Sequence, residues 1–194
     1  MTAKQVKKSD RNKSWRSDTR ESGRRARKVQ MTRHLIVCEG KETEPRYFEG
    51  MKRALGDANG RKVAIVVKGS GLHTLDLLEY AQDICRYDPG TYDHVWLAYD
   101  KDDFAASDFD ATERRGTEIS TASSSAYHAL WSNPCFEVWL LLHFGYTTAS
   151  MDASECFGRT DDCSARTTGK SYAKNLDDVY ALLSPLREDA VLNA

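Results

Sequence analysis

Four apolar stretches alternate with amphipathic ones after residue 33. Leu35–Cys38 is continuously apolar and stops at Glu39-Gly40. From Thr43 to about Leu55 the spacing predicts a helix, with Pro45 in the first turn, where its missing N–H removes no helical bond. Val63–Val67 predicts a β-branched strand that ends in Gly69-Ser70-Gly71. A second amphipathic helix follows, with Leu75, Leu78, Ala81 and Ile84 or Cys85 on its apolar face. His94–Tyr99 predicts a third strand, halted by Asp100. A short helix around Ala111–Ile119 and a shorter fourth strand at Ala126–Trp131 come next. Asn133-Pro134 reads as the cap and first position of an apolar helix reaching Phe144. Residues 147–170 are rich in Ser, Thr, Asp and Gly and read as a loop with at most a short helix. Ser171–Leu183 reads as the last helix, followed by a short tail.

Strands alternating with helices predict an α/β fold, a mainly parallel four-stranded sheet flanked by helices with a helical C-terminal extension. The expected segments are a basic arm over 1–33, a core over 34–146, and a loop and helical extension over 147–194 packed on that core. The 194 residues suffice for one domain with a real core.

Charge changes the picture at the N-terminus. Of 28 Lys/Arg and 29 Asp/Glu, residues 1–33 hold 12 and 3, leaving 16 and 26 for the rest. A basic arm therefore precedes an acidic body. The arm, which includes Arg24, Arg25, Arg27 and Lys28, reads either as a solvated tail or as a device for capturing phosphates. The five cysteines form no CxxC pair and have no neighbouring His cluster, which argues against zinc. Their scatter through apolar stretches suits reduced thiols in the cytoplasm. No apolar run has transmembrane length.

The chemistry lies where strands meet acids. Parallel α/β sheets place ligand sites at the carboxyl ends of their strands. The first predicted strand ends at Glu39, and the third ends in Asp100-Lys101-Asp102-Asp103. If those strands are neighbours, Glu39, Asp100 and Asp102 converge, and converging carboxylates repel unless a cation neutralises them. Hard divalent ions such as Mg2+ or Mn2+ take such oxygen ligands. Taken singly, each acid also reads as an ordinary loop or turn residue. Glu137 is a lone carboxylate in a helix apolar nearly all round. It needs a basic partner, the helix N-terminus or a place at the edge of the acidic cluster. Lys41 reads as a phosphate contact or a solvated lysine. His128 and His143 read as core or capping residues, and the Gly69–Gly71 segment as a plain turn.

The pieces "LIVCEGKETEPRYF", "VWLAYDKDDF" and "SNPCFEVWLLLHF", in that order, resemble the RloB family, over roughly residues 25–185. That family is encoded with bacterial restriction and phage-defence systems and is similar to the Toprim domain, a small α/β metal-binding fold of topoisomerases, primases and some nucleases. The resemblance implies a Toprim-like fold in which Glu39, with Gly40, serves acid/base chemistry or metal binding, and Asp100 and Asp102 are metal ligands. The second glutamate of related nucleases falls at Thr43 here, and the RloB-type pattern favours Glu44. Glu137 belongs to that pattern too. The implied function is a Mg2+- or Mn2+-dependent nuclease of an abortive-infection system. It would cleave RNA, tRNA included, or DNA. The other reading is a non-catalytic module that binds nucleic acid or a partner ABC-type ATPase encoded nearby.

Overall fold

The computed structural model describes residues 32–57, 63–72, 74–88, 91–101 and 106–194. The elements run β1 (Thr32–Cys38), α1 (Thr43–Asp57), β2 (Val63–Gly69), α2 (Thr74–Tyr87), β3 (His94–Asp100), α3 (Ala106–Ala122) and β4 (Ala126–Ser132). After these come α4 (Glu137–Leu142), α5 (Ala153–Thr168), α6 (Val179–Leu183), a 3-10 turn at Ser184–Leu186 and α7 (Arg187–Asn193). The four strands form one sheet in the order β2-β1-β3-β4, and every neighbouring pair is parallel. This is the α/β architecture that the alternation of elements predicts.

Side chains alternate across the pleat, so each strand serves two cores. Leu35, Val37, Val95, Leu97 and Tyr99 face α2, where Leu77, Leu78 and Ala81 meet them. Ile36, Cys38 and Ala98 face the other way, against Tyr47 and Phe48 of α1, Leu140 of α4, and Val179, Tyr180 and Leu183 of α6. With both faces covered, β1 and β3 read as nearly unbroken apolar runs, as buried parallel strands should. Leu35 and Leu97 are at most 1% exposed, and each such side chain contributes about 1.5–3 kcal/mol by leaving water. Helices α1 and α6 touch at Gly50, where a Cβ would lie 2.5 Å from the Tyr180 Cβ.

Three expectations are corrected. The Asn133–Pro134 bond is cis, and α4 starts only at Glu137, with no side-chain cap. Its first N–H groups, those of Val138 and Trp139, bond instead to the carbonyls of Cys135 and Phe136, both at 3.0 Å. The stretch 147–170 contains a 16-residue helix, α5. Asp152 caps it by accepting the Glu155 N–H while Glu155 reaches back to the Asp152 N–H, and Gly169 (φ 75°) ends it in the left-handed region. Residues 171–178 are irregular backbone and turns, so the expected last helix shrinks to Val179–Leu183, and the tail beyond it is helical. The Tyr172 N–H goes to the Asp161 carboxylate (2.8 Å), which holds that segment on α5 rather than in a helix of its own.

Candidate functional site

The strand order reverses between β1 and β3. From β1 the chain crosses to β2 on one side and then to β3 on the other. Such a switch point leaves a crevice at the carboxyl ends of the two strands, because the connecting helices diverge. Glu39 follows β1 and Asp100 ends β3, so both acids stand at that crevice. The Glu39 N–H extends the ladder to the Ala98 carbonyl (2.8 Å). The Asp100 N–H in turn donates to Glu39 Oε2 (3.2 Å).

Two further carboxylates join them. Glu44 lies in the first turn of α1 and is 5% exposed; Glu137 opens α4 and is 2% exposed. Glu39, Glu44, Asp100 and Glu137 line one cavity of about 260 Å3, together with Gly40, Thr43, Lys41 and Lys174. The Gly40 N–H donates to Glu44 Oε1 (3.3 Å). Gly40 is needed there, since a Cβ would lie 2.2 Å from Glu44 Oε2. Burial pushes the Glu44 carboxyl up from its ordinary range; its own and the Gly40 N–H groups pull it back, and the charges of Glu137 and Glu39 push it up again. Burial, aided by the charge of Glu44, raises the neighbouring Cys38 thiol well above its usual value.

Glu137 meets a basic partner, as its sequence position allows, and a phenol besides. Tyr172 Oη donates to its Oε1 (2.9 Å), and Lys174 Nζ lies 3.9 Å from the same oxygen. Thr160 of α5 donates to the Glu137 carbonyl (3.4 Å), which fixes the start of α4 against α5. Tyr172 and Thr43 were not expected from the sequence. A lone tyrosine in a polar segment carries no motif, and Thr43 looks like any helix-start threonine.

The glycine turn after β2 keeps its N–H groups for the fold. Ser70 N–H donates to the Cys38 carbonyl (3.0 Å) and Gly71 N–H to the Glu39 carbonyl (2.7 Å), as a plain turn requires. The Lys41 side chain crosses this turn, with Cε 2.4 Å from where a Gly71 Cβ would stand. His143 caps α4 at 2% exposure, with Nδ1 bonded to the Trp139 carbonyl (2.9 Å). His128 stands away from the acids. It stacks on Trp96 (4.1 Å between ring centroids), and its Nε2 lies 3.0 Å from His94 Nδ1. His34 stacks on His94 (4.9 Å) and accepts the Trp96 indole N–H (3.1 Å). Burial foremost, then the neighbouring imidazoles, lowers the pKa of both His34 and His128, although Asp93 acts in the opposite sense on His34.

Asp102 and Asp103 lie outside the described residues, as do Arg24, Arg25, Arg27 and Lys28 of the basic arm. Among the described residues, no three His, Cys, Asp or Glu side chains already converge on one metal-sized point. None of the helices among them is long and apolar enough to cross a membrane. No curated protein and no solved structure matches the chain. One protein family does, over residues 34–194, a stretch that holds the acidic crevice and all of the sheet but the first two residues of β1: the chain belongs to the RloB-like protein family.

Proposed function

We propose that the chain is a divalent-metal-dependent nuclease with a Toprim-like core, acting in bacterial defence against phage on a phosphodiester of RNA or DNA. The observation that carries this reading is the meeting of Glu39 and Asp100 at the switch point, in one cavity with Glu44 and Glu137.

The donor chemistry fits a hard cation. All four carboxylates offer oxygen, the ligand type that Mg2+ and Mn2+ prefer. Two of them, Glu44 and Glu137, are at most 5% exposed. Burying carboxylates together costs several kcal/mol per ion unless they are compensated. Glu137 has one phenol and a lysine at 3.9 Å. The Gly40 N–H is a small return for Glu44. The missing positive charge would come from a divalent ion, whose chemistry in this cavity would be to polarise a phosphoryl oxygen and acidify a water. Glu39 and Asp100 would hold the ion, with Glu44 and Glu137 from the same cavity and Asp102 from the sequence after β3.

The remaining work falls to the chain itself. The Asp100 backbone N–H orients Glu39 by its bond to Oε2, which ties that carboxylate to the end of β3. In this reading Glu39 takes the proton of an attacking water. Lys41 and Lys174, at the cavity rim, suit phosphate oxygens. The basic arm supplies the long-range attraction that an acidic crevice lacks.

The second reading is a non-catalytic module that binds nucleic acid or a partner ATPase. One experiment separates the two. Purified protein is incubated with tRNA, ribosomal RNA and DNA in Mn2+ or in EDTA, beside Asp100→Ala. The nuclease reading expects cleavage only with Mn2+ and none from Asp100→Ala, whose urea midpoint stays near wild type. Cleavage retained by that variant refutes the assignment. Metal binding without cleavage of any substrate supports the second reading.

A further inference from the structure

We propose that Tyr172 is a positioning residue that sets the Glu137 carboxylate for the cation; this rests on the metal-dependent reading above. Tyr172 is 5% exposed and held at two points besides its hydroxyl. Its N–H donates to Asp161 Oδ1 (2.8 Å), and its ring packs on Phe157 with centroids 5.3 Å apart. Both of those residues belong to α5, so the ring is fixed by a rigid element before the hydroxyl bonds to anything.

That hydroxyl reaches two parts of the site at once. It lies 2.9 Å from Glu137 Oε1 and 3.3 Å from Thr43 Oγ1. A phenol has one proton and accepts readily. The Glu137 carboxylate oxygen accepts the hydrogen bond from that O–H, and the Thr43 hydroxyl then donates to the Tyr172 oxygen. The resulting chain runs from Thr43 through Tyr172 to Glu137. It links the start of α1, next to Glu44, with the start of α4. Lys174 attracts the same carboxylate, but it is 65% exposed and 3.9 Å away, so solvent screens it and its geometry is loose. The buried neutral donor has the fixed direction that the lysine lacks.

Partners of this kind orient metal-binding carboxylates, and their loss typically costs about 10–100-fold in metal affinity or activity. Tyr172→Phe removes one oxygen and leaves the ring on Phe157. Calorimetry on the full-length chain should show Mn2+ affinity lowered by about that factor. Cleavage at limiting Mn2+ should fall in parallel and return at saturating Mn2+. A merely structural role would lower the urea midpoint without this metal-dependent recovery. Unchanged Mn2+ affinity in Tyr172→Phe, with wild type binding Mn2+ and Glu137→Gln binding it weakly, overturns the positioning role and leaves the nuclease reading intact. A wild-type chain that takes up no Mn2+ defeats the nuclease reading itself. Should Tyr172→Phe not fold, Thr43→Val removes the outer donor and should weaken Mn2+ binding by a smaller factor; no weakening in that variant also overturns the role.

Discussion

Replacing Gly40 by alanine adds a single methyl at the mouth of the crevice, and its effect can be worked out from distances. The added carbon would stand 2.2 Å from Glu44 Oε2 and 2.7 Å from Oε1. No carbon–oxygen contact survives at that separation, so one group must move. The backbone at Gly40 is tied by its neighbour's ladder bond to Ala98, whereas the carboxylate is the end of a flexible side chain. Glu44 therefore swings away and gives up its bond to the Gly40 N–H. A hydrogen bond to a charged group contributes about 1.5–3 kcal/mol. Alanine returns about 0.4–1 kcal/mol by restricting the unfolded chain, and φ at Gly40 is not positive, so no backbone strain is added. The net expectation is a loss of about 1–2 kcal/mol, read as a lower urea midpoint at unchanged slope. A double-mutant cycle sharpens the test. In a Glu44→Ala background the same glycine change has nothing to displace and should be neutral or slightly stabilising. Equal losses in both backgrounds would show that Glu44 is not held by Gly40, and the account of this corner of the site would fall.

Gly50→Ala sets two effects against each other: alanine favours helix by about 1 kcal/mol, but overpacking against the Tyr180 Cβ at 2.5 Å costs about 1–3 kcal/mol. We expect a net loss of about 1 kcal/mol in urea, while Gly158→Ala in α5, with nothing within 4 Å, should gain up to about 1 kcal/mol; a stabilised Gly50→Ala contradicts the packing described. Because His34 and His128 have folded pKa values below the ordinary 6.5, the unfolded chain binds more protons, so their stability contribution is complete above pH 6.5 and declines as pH falls from there. Glu44 acts in the opposite sense, since its raised pKa penalises the fold as pH climbs from 4.5 through its folded value. In Glu44→Gln, where that opposing effect is removed, the urea midpoint should fall from pH 7 toward pH 5.5 more steeply than in wild type; a midpoint in that variant that is flat or rises on acidification refutes the assignment.

The strands were legible because burial on both faces leaves continuous apolar runs, and the acids that end β1 and β3 stood out against them. Their adjacency was not written in either segment. It depends on the order β2-β1-β3-β4, a property of how helices pack on the two faces, and the site was conditional on it. The signals for α5 were present in Asp152-x-x-Glu155 and Gly169, yet the Ser, Thr and Asp content between them looked like loop. Pro134 misled because proline suits both a first helical turn and a cis bond, and only tertiary context chooses. Glu137 was conspicuous by its apolar neighbours. Tyr172 was invisible, because its role comes from a contact spanning 129 residues to Thr43 and 35 to Glu137.

That span has a consequence for the order of synthesis. A chain that has left the ribosome only as far as α4 already carries Glu39, Glu44, Asp100 and Glu137. The phenol that steadies the last of them is still to come, together with α5, against which it rests. The buried Glu137 carboxylate therefore gains its neutral donor only once the final quarter of the chain has been made.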